Sequence, residues 1–102
     1  MSNEVEISTS TPKAVFQAKI IRVGNSWYIR IPQHVIKNYG FRVRDQVKLI
    51  LKKNDAEGEL ISYIQEQANG YLVLLPKKIV RAYGFQLKDE VKVILCLVKR
   101  ME

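Results

Sequence analysis

The side chains best suited to binding chemistry are cations on either side of a short polar turn. Within residues 19–40, KIIRVGNSWYIRIPQHVIKNYG, Arg22 precedes the sequence Gly24-Asn25-Ser26 and Arg30 follows it. A guanidinium group can bind a phosphate or bridge the two acceptors on a guanine edge, and an asparagine amide can pair with adenine. This chemistry predicts contacts with duplex DNA from Lys19, Arg22, Asn25 and Arg30.

The elements that would position these residues are a β-hairpin and a short helix. Residues 14–23 and 27–31 are predicted as two strands flanking the turn. Pro32 suits the first position of a helix, because its fixed backbone angle fits and its missing N–H is not needed there. Gly40 can adopt the left-handed conformation that ends a helix. Residues 46–53 are predicted as a further strand.

The length of the turn decides which side chains share a face of the hairpin. A three-residue loop at positions 24–26 places Arg22, Tyr28 and Arg30 on one face and the apolar side chains on the other. A two-residue loop shifts the pairing by one residue and puts Arg22 beside Trp27 on the apolar face, which would bury an unpaired charge. We therefore expect the longer loop and a single cationic face.

The net charge of +7 is concentrated in one part of the sequence. Residues 1–12 carry two acids and no bases, residues 13–53 carry ten bases and one acid, and residues 54–102 carry seven of each. Such a basic segment is the electrostatic footprint expected for binding a polyanion. Arg42 and Arg44 belong to this segment and are predicted as phosphate contacts, with plain surface as the alternative.

Several other classes of protein are disfavoured. The single cysteine, Cys96, permits no internal disulfide, and the one histidine, His34, lacks partners for a metal site. Ser26 and Asp45 together with His34 supply the letters of a hydrolase triad, but no oxyanion loop is evident, so neither a catalytic site nor a cofactor is predicted. The sequence shows no secretory signal and no membrane-length apolar run, which predicts a cytoplasmic protein with no membrane partner.

The pattern of residues 25–51 recurs 44 positions later, with ten identities in 27 positions, which indicates a tandem duplication. The identical residues of the first copy are Asn25, Pro32, Tyr39, Gly40, Phe41, Asp45, Val47, Lys48, Ile50 and Leu51. The predicted organisation is a flexible arm at 1–12, a basic first repeat at 13–53, a connecting turn at 54–58 and a charge-neutral second repeat at 59–102. A unit of about 40 residues seldom encloses a core alone, so we expect the copies to pack together about a pseudo-twofold axis.

The second copy lacks the side chains that give the first its binding chemistry. At the positions of Arg22 and Arg30 it has Glu66 and Leu74. In the favoured register Leu72 and Leu74 point outward, so either another subunit covers them or the strand lies deeper than the pattern indicates. The first reading predicts a protein-interaction surface on the second repeat, which would bind a second copy of the chain or another protein.

The segment RVGNSWYIRIPQHVIKNYGFRVRDQVKLIL resembles the AbrB/MazE/SpoVT class of swapped-hairpin transcription factors. The shared pattern is a basic and a hydrophobic residue, Gly-Asn-Ser, a strand ending Arg-x-Pro, a short helix, and a glycine turn leading to an acidic residue and a Val-rich strand. The resemblance covers residues 19–51 well and residues 69–95 more loosely. It implies a mostly β fold with short helices, in which two tandem β-β-α-β repeats interleave into a swapped-hairpin β-barrel. It also implies DNA contact by Arg22, Asn25, Ser26 and Arg30.

The favoured interpretation is a DNA-binding transcriptional regulator that uses the basic first hairpin, with Tyr28 able to stack on bases. The alternative is a protein-interaction module, antitoxin-like or an assembly protein, that grips its partner through Leu72 and Leu74. Antitoxins of this class continue into a long toxin-blocking tail, whereas few residues follow the second copy here, so we prefer the regulator. RNA binding is a third interpretation. The predicted DNA-binding residues are Lys19, Arg22, Asn25, Ser26, Tyr28, Arg30, Arg42 and Arg44.

Overall fold

Seven antiparallel strands and two short helices form the part of the chain that the structure describes, residues 13–67 and 70–100 of a computed structural model. The elements are β1 (Lys13–Lys19), β2 (Ile21–Val23), β3 (Ser26–Ile31), α1 (Gln33–Tyr39), β4 (Gln46–Lys53), β5 (Ala56–Gln67), β6 (Gly70–Leu75), α2 (Lys77–Ala82) and β7 (Glu90–Lys99). The strands lie side by side in the order β1-β7-β4-β5-β6-β3-β2. The sheet curls into a half-barrel, so the predicted mostly β class is confirmed. The predicted arm at residues 1–12 lies outside the described residues.

The core occupies the inner face of the curled sheet. In β4 the side chains of Val47, Leu49 and Leu51 are fully buried, whereas Lys48 and Lys52 alternate with them and are only half-buried. This period of two is what a strand with one apolar and one polar face requires. The same alternation along β1, β5 and β7 lets the inner side chains of all four strands meet in one core.

Both helices begin after a proline and are short. Helix α1 begins at Gln33 and has Pro32 as its N-cap, with φ −60° and ψ 146°, so the proline stands just before the helix and not at its first position as predicted. The extended ψ keeps Pro32 outside the helix while its carbonyl accepts hydrogen bonds from Val35 and Ile36. Gly40 ends α1 in the left-handed conformation, with φ 70°, which confirms the predicted stop.

The predicted strand at 46–53 is confirmed, but the predicted strand at 14–23 is divided at Ile20. The Ile20 backbone leaves the ladder to bond the loop before β7: its N–H donates to the Asp89 carbonyl at 3.0 Å, and its carbonyl accepts from Lys88 at 2.8 Å. The connecting turn is also shorter than the predicted 54–58, because β5 already begins at Ala56. The chain therefore changes direction within a tight turn.

The strand pairing has an internal twofold relationship. Ile50 of β4 pairs with Ile94 of β7, and Ile29 of β3 pairs with Val73 of β6. The partners in each pair are 44 positions apart. The first strand of each half pairs with the last strand of the other half, since β1 pairs with β7 and β5 with β4. The two halves therefore interleave, and neither half holds its own first and last strands together.

Two aspartates 44 positions apart tie the halves together. Asp45, which is 1% exposed, accepts hydrogen bonds from the Arg42 N–H and from the guanidinium of Arg100 at 3.0 and 3.1 Å. Asp89 accepts a hydrogen bond from the Gln86 N–H and another from Lys53 Nζ at 2.7 Å. Lys53 is the last residue of β4, and Arg100 directly follows β7. Each carboxylate therefore binds a cation from the other half and links the two halves.

No helix among the described residues is both long and apolar enough to cross a membrane.

Candidate nucleic-acid interface

The first hairpin has a two-residue turn, and the predicted three-residue loop is wrong. Val23 pairs with Ser26, and Arg22 pairs with Trp27. Gly24 has φ 62°, whereas Asn25 has no positive φ. A positive φ at the first central position only is the sign pattern of a type II′ turn, whose twist matches that of the flanking strands. Turn geometry thus decides the register.

The shorter turn places Arg22 and Arg30 on opposite faces of the hairpin, so the predicted single cationic face is wrong. Directly opposed residues share a face, which puts Arg22 beside Trp27, and Arg30 lies three residues beyond Trp27 on the same strand. The charge burial that argued against this register does not occur. Strand β2 is a three-residue strand at the edge of the sheet, so Arg22 is exposed there.

Arg30 is exposed on the outer face, and its guanidinium lies against Gly70 of β6. Gly70 has no positive φ, so the glycine accommodates this close approach of the flexible Arg30 side chain and does not serve a turn conformation. Tyr28 is on the same face but only 7% exposed, and its hydroxyl accepts a hydrogen bond from Gln67 Nε2 at 3.2 Å. The predicted stacking of Tyr28 on bases is therefore not supported by its position.

The second hairpin does not present the expected pair of outward leucines. Leu72 is 1% exposed and lies between Arg30 of β3 and Gln65 of β5, and Leu74 is half-buried. Burial of Leu72 within the chain corrects the prediction that Leu72 belongs to a protein-interaction surface, whereas Leu74 is partly accessible. Strand β6 is therefore less accessible than the sequence pattern indicated. The side chains of Arg30 and Gln65 flank Leu72 on this face.

The remaining predicted residues of the first hairpin are accessible. Asn25 is exposed at the turn, and Ser26 is half-buried as the first residue of β3. Lys19 is exposed at the end of β1, where it pairs in register with Glu90. The tip and both faces of the hairpin therefore carry polar groups that a ligand could reach.

Arg42 and Arg44 are exposed but belong to a different place. They lie in the loop between α1 and β4, and the Arg44 N–H donates to the Ile64 carbonyl at 2.7 Å. Ile64 is on β5, where the second hairpin begins. The structure thus places the basic loop of the first half against the second hairpin, and it does not group Arg42 and Arg44 with Arg22.

A loop of the second half takes the corresponding place beside the first hairpin. The Lys88 N–H donates to the Ile20 carbonyl just before β2. Trp27 lines a shallow cleft of about 360 Å³ together with residues from the end of α2 and the turn after it, namely Arg81, Gly84, Phe85, Gln86 and Leu87. Sequence reasoning missed Arg81, although the 44-residue repeat and the expected interleaving together contained the signal.

A solved structure shows a similar arrangement: the solution structure of PHS018 from Pyrococcus horikoshii, which is 24% identical to this chain. The match covers 87% of this chain and 96% of that chain, with a TM-score of 0.65. The two proteins share a fold. No family model and no curated protein matches the sequence. The likeness extends to the fold alone and carries no function.

The cations around the first hairpin make no ion pairs with other described residues. Lys48, Lys53 and Arg100 lie within 4.0 Å of carboxylates, but no carboxylate in residues 13–67 or 70–100 lies that close to Arg22, Arg30 or Arg81. The same part of the chain contains no group of three or more residues that could hold a metal ion. The exposed guanidinium groups around the first hairpin are therefore suited to binding an anionic ligand.

Proposed function

We propose that this protein is a duplex-DNA-binding transcriptional regulator that contacts DNA with its first hairpin. The observation that carries the proposal is the set of exposed guanidinium groups around this hairpin without carboxylate partners. Guanidinium groups supply both the phosphate contacts that dominate affinity and the bidentate contacts that read guanine. A surface that is merely solvated has no need for cations gathered at one hairpin.

The interleaved halves support the finer proposal that the fold is a swapped-hairpin barrel of the AbrB/MazE/SpoVT type. In such an arrangement the hairpin of each half packs in a barrel whose strands come from both halves. The pairings β1 with β7 and β5 with β4 join the two halves in this way, and the pair Ile50 and Ile94 lies on the internal twofold. A single chain therefore supplies both hairpins of this arrangement.

The positions of Arg22 and Arg30 change how the hairpin would engage DNA. A flat cationic face would lie on the duplex, but arginines on opposite faces suit a ribbon that enters a groove by its tip. The major groove is about 12 Å wide and admits a two-stranded ribbon, so both faces then meet a wall of the groove. Asn25 at the turn would face the base edges, and one arginine would face each wall.

The direct test is fluorescence anisotropy with a labelled duplex at two salt concentrations. We expect Arg22→Ala and Arg30→Ala each to weaken binding about tenfold or more, and to lower the slope of log K against log salt by about one. The matched control is Glu66→Ala, since Glu66 occupies the position of Arg22 in the second half and pairs with Tyr71 as Arg22 pairs with Trp27. We expect it to bind as well as the unmodified protein.

Two results would contradict the proposal. One is absence of salt-dependent binding to duplex DNA by the unmodified protein. The other is an equal loss from Glu66→Ala and from Arg22→Ala, because the two hairpins would then be equivalent. Single-stranded and duplex RNA of matched sequence serve as competitors. Tighter binding to RNA would show that RNA, and not DNA, is the ligand of the same residues.

A further inference from the structure

The cleft beside Trp27 joins the two halves of the chain next to the proposed DNA-binding hairpin. The Ile20 backbone bonds both Asp89 and Lys88, which holds the loop between α2 and β7 against the start of β2. Trp27, on the neighbouring strand β3, faces residues 84–87 and Arg81 across the cleft. A part of the second half is thus built into the surroundings of the first hairpin.

The cleft combines an apolar floor with one cationic edge, Arg81, and Arg22 lies on the strand beside Trp27. Phe85 is 1% exposed and Trp27 is half-buried, so the floor is fixed by the core. Arg81 is exposed on one side, and Arg22, the cross-strand partner of Trp27, is exposed as well. An aromatic ring with guanidinium groups nearby is suited to a nucleotide unit, whose phosphate meets the cations while its sugar or base packs on the ring.

We infer that Arg81 and Trp27 form a second contact zone for the nucleic-acid backbone, so that the binding surface is composite and draws residues from both halves. This inference rests on the proposed DNA binding by the first hairpin. A cleft of about 360 Å³ is far too small for a duplex and is at the small end of ligand sites, about 300 to 1,000 Å³, which fits one phosphate and its sugar. Contact with the backbone would add affinity without reading sequence.

The chain provides a matched position that should not take part. Lys37 lies 44 residues before Arg81 and, like it, is the basic residue in the last turn of its helix. In the second hairpin Tyr71 stands where the first has Trp27, and its cross-strand partner is Glu66 instead of an arginine. A carboxylate at that point repels a phosphate, so removing Lys37 should leave binding unchanged.

The experiment compares Arg81→Ala with Lys37→Ala in the full chain, using a labelled duplex and anisotropy across a salt series. We expect Arg81→Ala to weaken binding about tenfold and to lower the salt slope by about one, whereas Lys37→Ala stays within about twofold of the unmodified protein. Thermal unfolding of both variants checks that the fold is retained. Trp27 is the single tryptophan, so its fluorescence reports on the cleft and should change when the duplex binds.

The outcomes separate this inference from the proposal beneath it. If Arg22→Ala weakens binding but Arg81→Ala behaves as Lys37→Ala does, and Trp27 fluorescence is unchanged by DNA, the composite surface is wrong and the hairpin proposal stands. If Arg81→Ala and Lys37→Ala lose affinity equally, the effect is one of overall charge and the inference also fails. If the unmodified protein binds no duplex, both ideas fall together.

Discussion

At the scale of single residues, the repeated aspartates show why a residue can recur in both halves without acting at a binding site. Each carboxylate accepts a hydrogen bond from the backbone N–H three residues earlier in its own loop. It accepts another from a cationic side chain of the other half. Asp45 is almost fully buried, so loss of its partner would leave a charge in the core. Asp45 and Asp89 thus recur because each holds its own loop in place and links that loop to the other half.

The contact between Lys53 and Asp89 predicts a dependence of stability on pH. The hydrogen bond from Lys53, together with that from the Gln86 N–H, lowers the pKa of Asp89 below its ordinary value of 3.8. A carboxylate with a depressed pKa stabilises the folded state above its unfolded pKa, and this contribution is lost as the pH falls through the folded pKa. Because Lys53 is partly exposed, the pair should contribute about 1 kcal/mol at most.

We therefore expect Lys53→Ala to reduce the free energy of unfolding by up to about 1 kcal/mol at neutral pH, with the difference from the unmodified protein shrinking as the pH falls below 3.8 and through the lowered pKa of Asp89. Urea denaturation at several pH values measures it. Lys52→Ala is the control, because no carboxylate in the described part of the chain lies within 4.0 Å of Lys52. A difference that persists unchanged in acid would show that Lys53 acts through packing instead of charge.

At the scale of elements, local sequence signals predicted what forms but not how the hairpin pairs. The stop at Gly40 and the strand at 46–53 follow from backbone preference and alternation within a few residues, and both are confirmed. The register of the first hairpin depends on one φ angle at Gly24 and on whether Arg22 lies over the core or beyond its edge. The second of these is set by distant strands, so no local pattern contained it.

The candidate site follows the same division. The exposure of Arg22 and Arg30 could be predicted from residue type, but the burial of Tyr28 and Leu72 could not. Their burial depends on polar side chains from β5, which sequence reasoning had no means to place over them. Arg81 differs from these two residues: its position beside Trp27 results from interleaving, which the 44-residue repeat indicated.

Two glycines at strand contacts lead to a prediction for the packing of α2 on β5. A methyl group on Gly58 would meet the ring of Tyr83, just after α2, at atoms close to the root of that side chain. A methyl group on Gly70 would meet only the flexible end of Arg30. We expect Gly58→Ala to cost about 1 to 3 kcal/mol of stability, as overpacking does, and Gly70→Ala clearly less.

Thermal or urea unfolding of the two variants measures this difference. The Tyr83 hydroxyl donates to the Glu59 carbonyl at 3.1 Å, so displacing the ring also weakens this bond. Tyr83→Ala combined with Gly58→Ala should show that the two costs are not additive, because the first change removes the obstacle to the second. Equal costs for Gly58→Ala and Gly70→Ala would contradict the role of the tyrosine ring.

At the scale of the whole molecule, interleaving separates the distribution of charge in the sequence from its distribution in space. The segment 13–53 has ten bases and one acid, so its excess of positive charge is larger than the net +7 of the whole chain, yet Arg44 of that segment lies against the second hairpin. The neutral half in turn brings Lys88 and Arg81 to the first hairpin. A binding surface inferred from runs of charge along the sequence is therefore incomplete in a fold of this kind.

Interleaving also predicts that neither half folds alone as a monomer. Cutting the chain in the exposed turn at Asn54 and Asp55 separates β1 from β7 and β4 from both of its partners. Each fragment would expose strand edges and one side of the shared core, and a unit of about 45 residues rarely buries enough surface to fold by itself. The basic fragment would also resist pairing with its own copy, because residues 1–54 carry ten bases and three acids in each copy, and like net charges repel.

We expect circular dichroism and sedimentation to show each fragment as unfolded or self-associated, and an equimolar mixture to regain the β spectrum of the intact chain as a one-to-one complex. The mixture should also regain the proposed DNA binding, since the cleft beside Trp27 draws its residues from both halves. A mixture of the basic fragment with an Asp89→Ala second fragment tests the cross-half contact with Lys53, and should associate more weakly. A compact, folded monomer from either fragment alone would show that each half holds its own core, which the observed strand pairing does not allow.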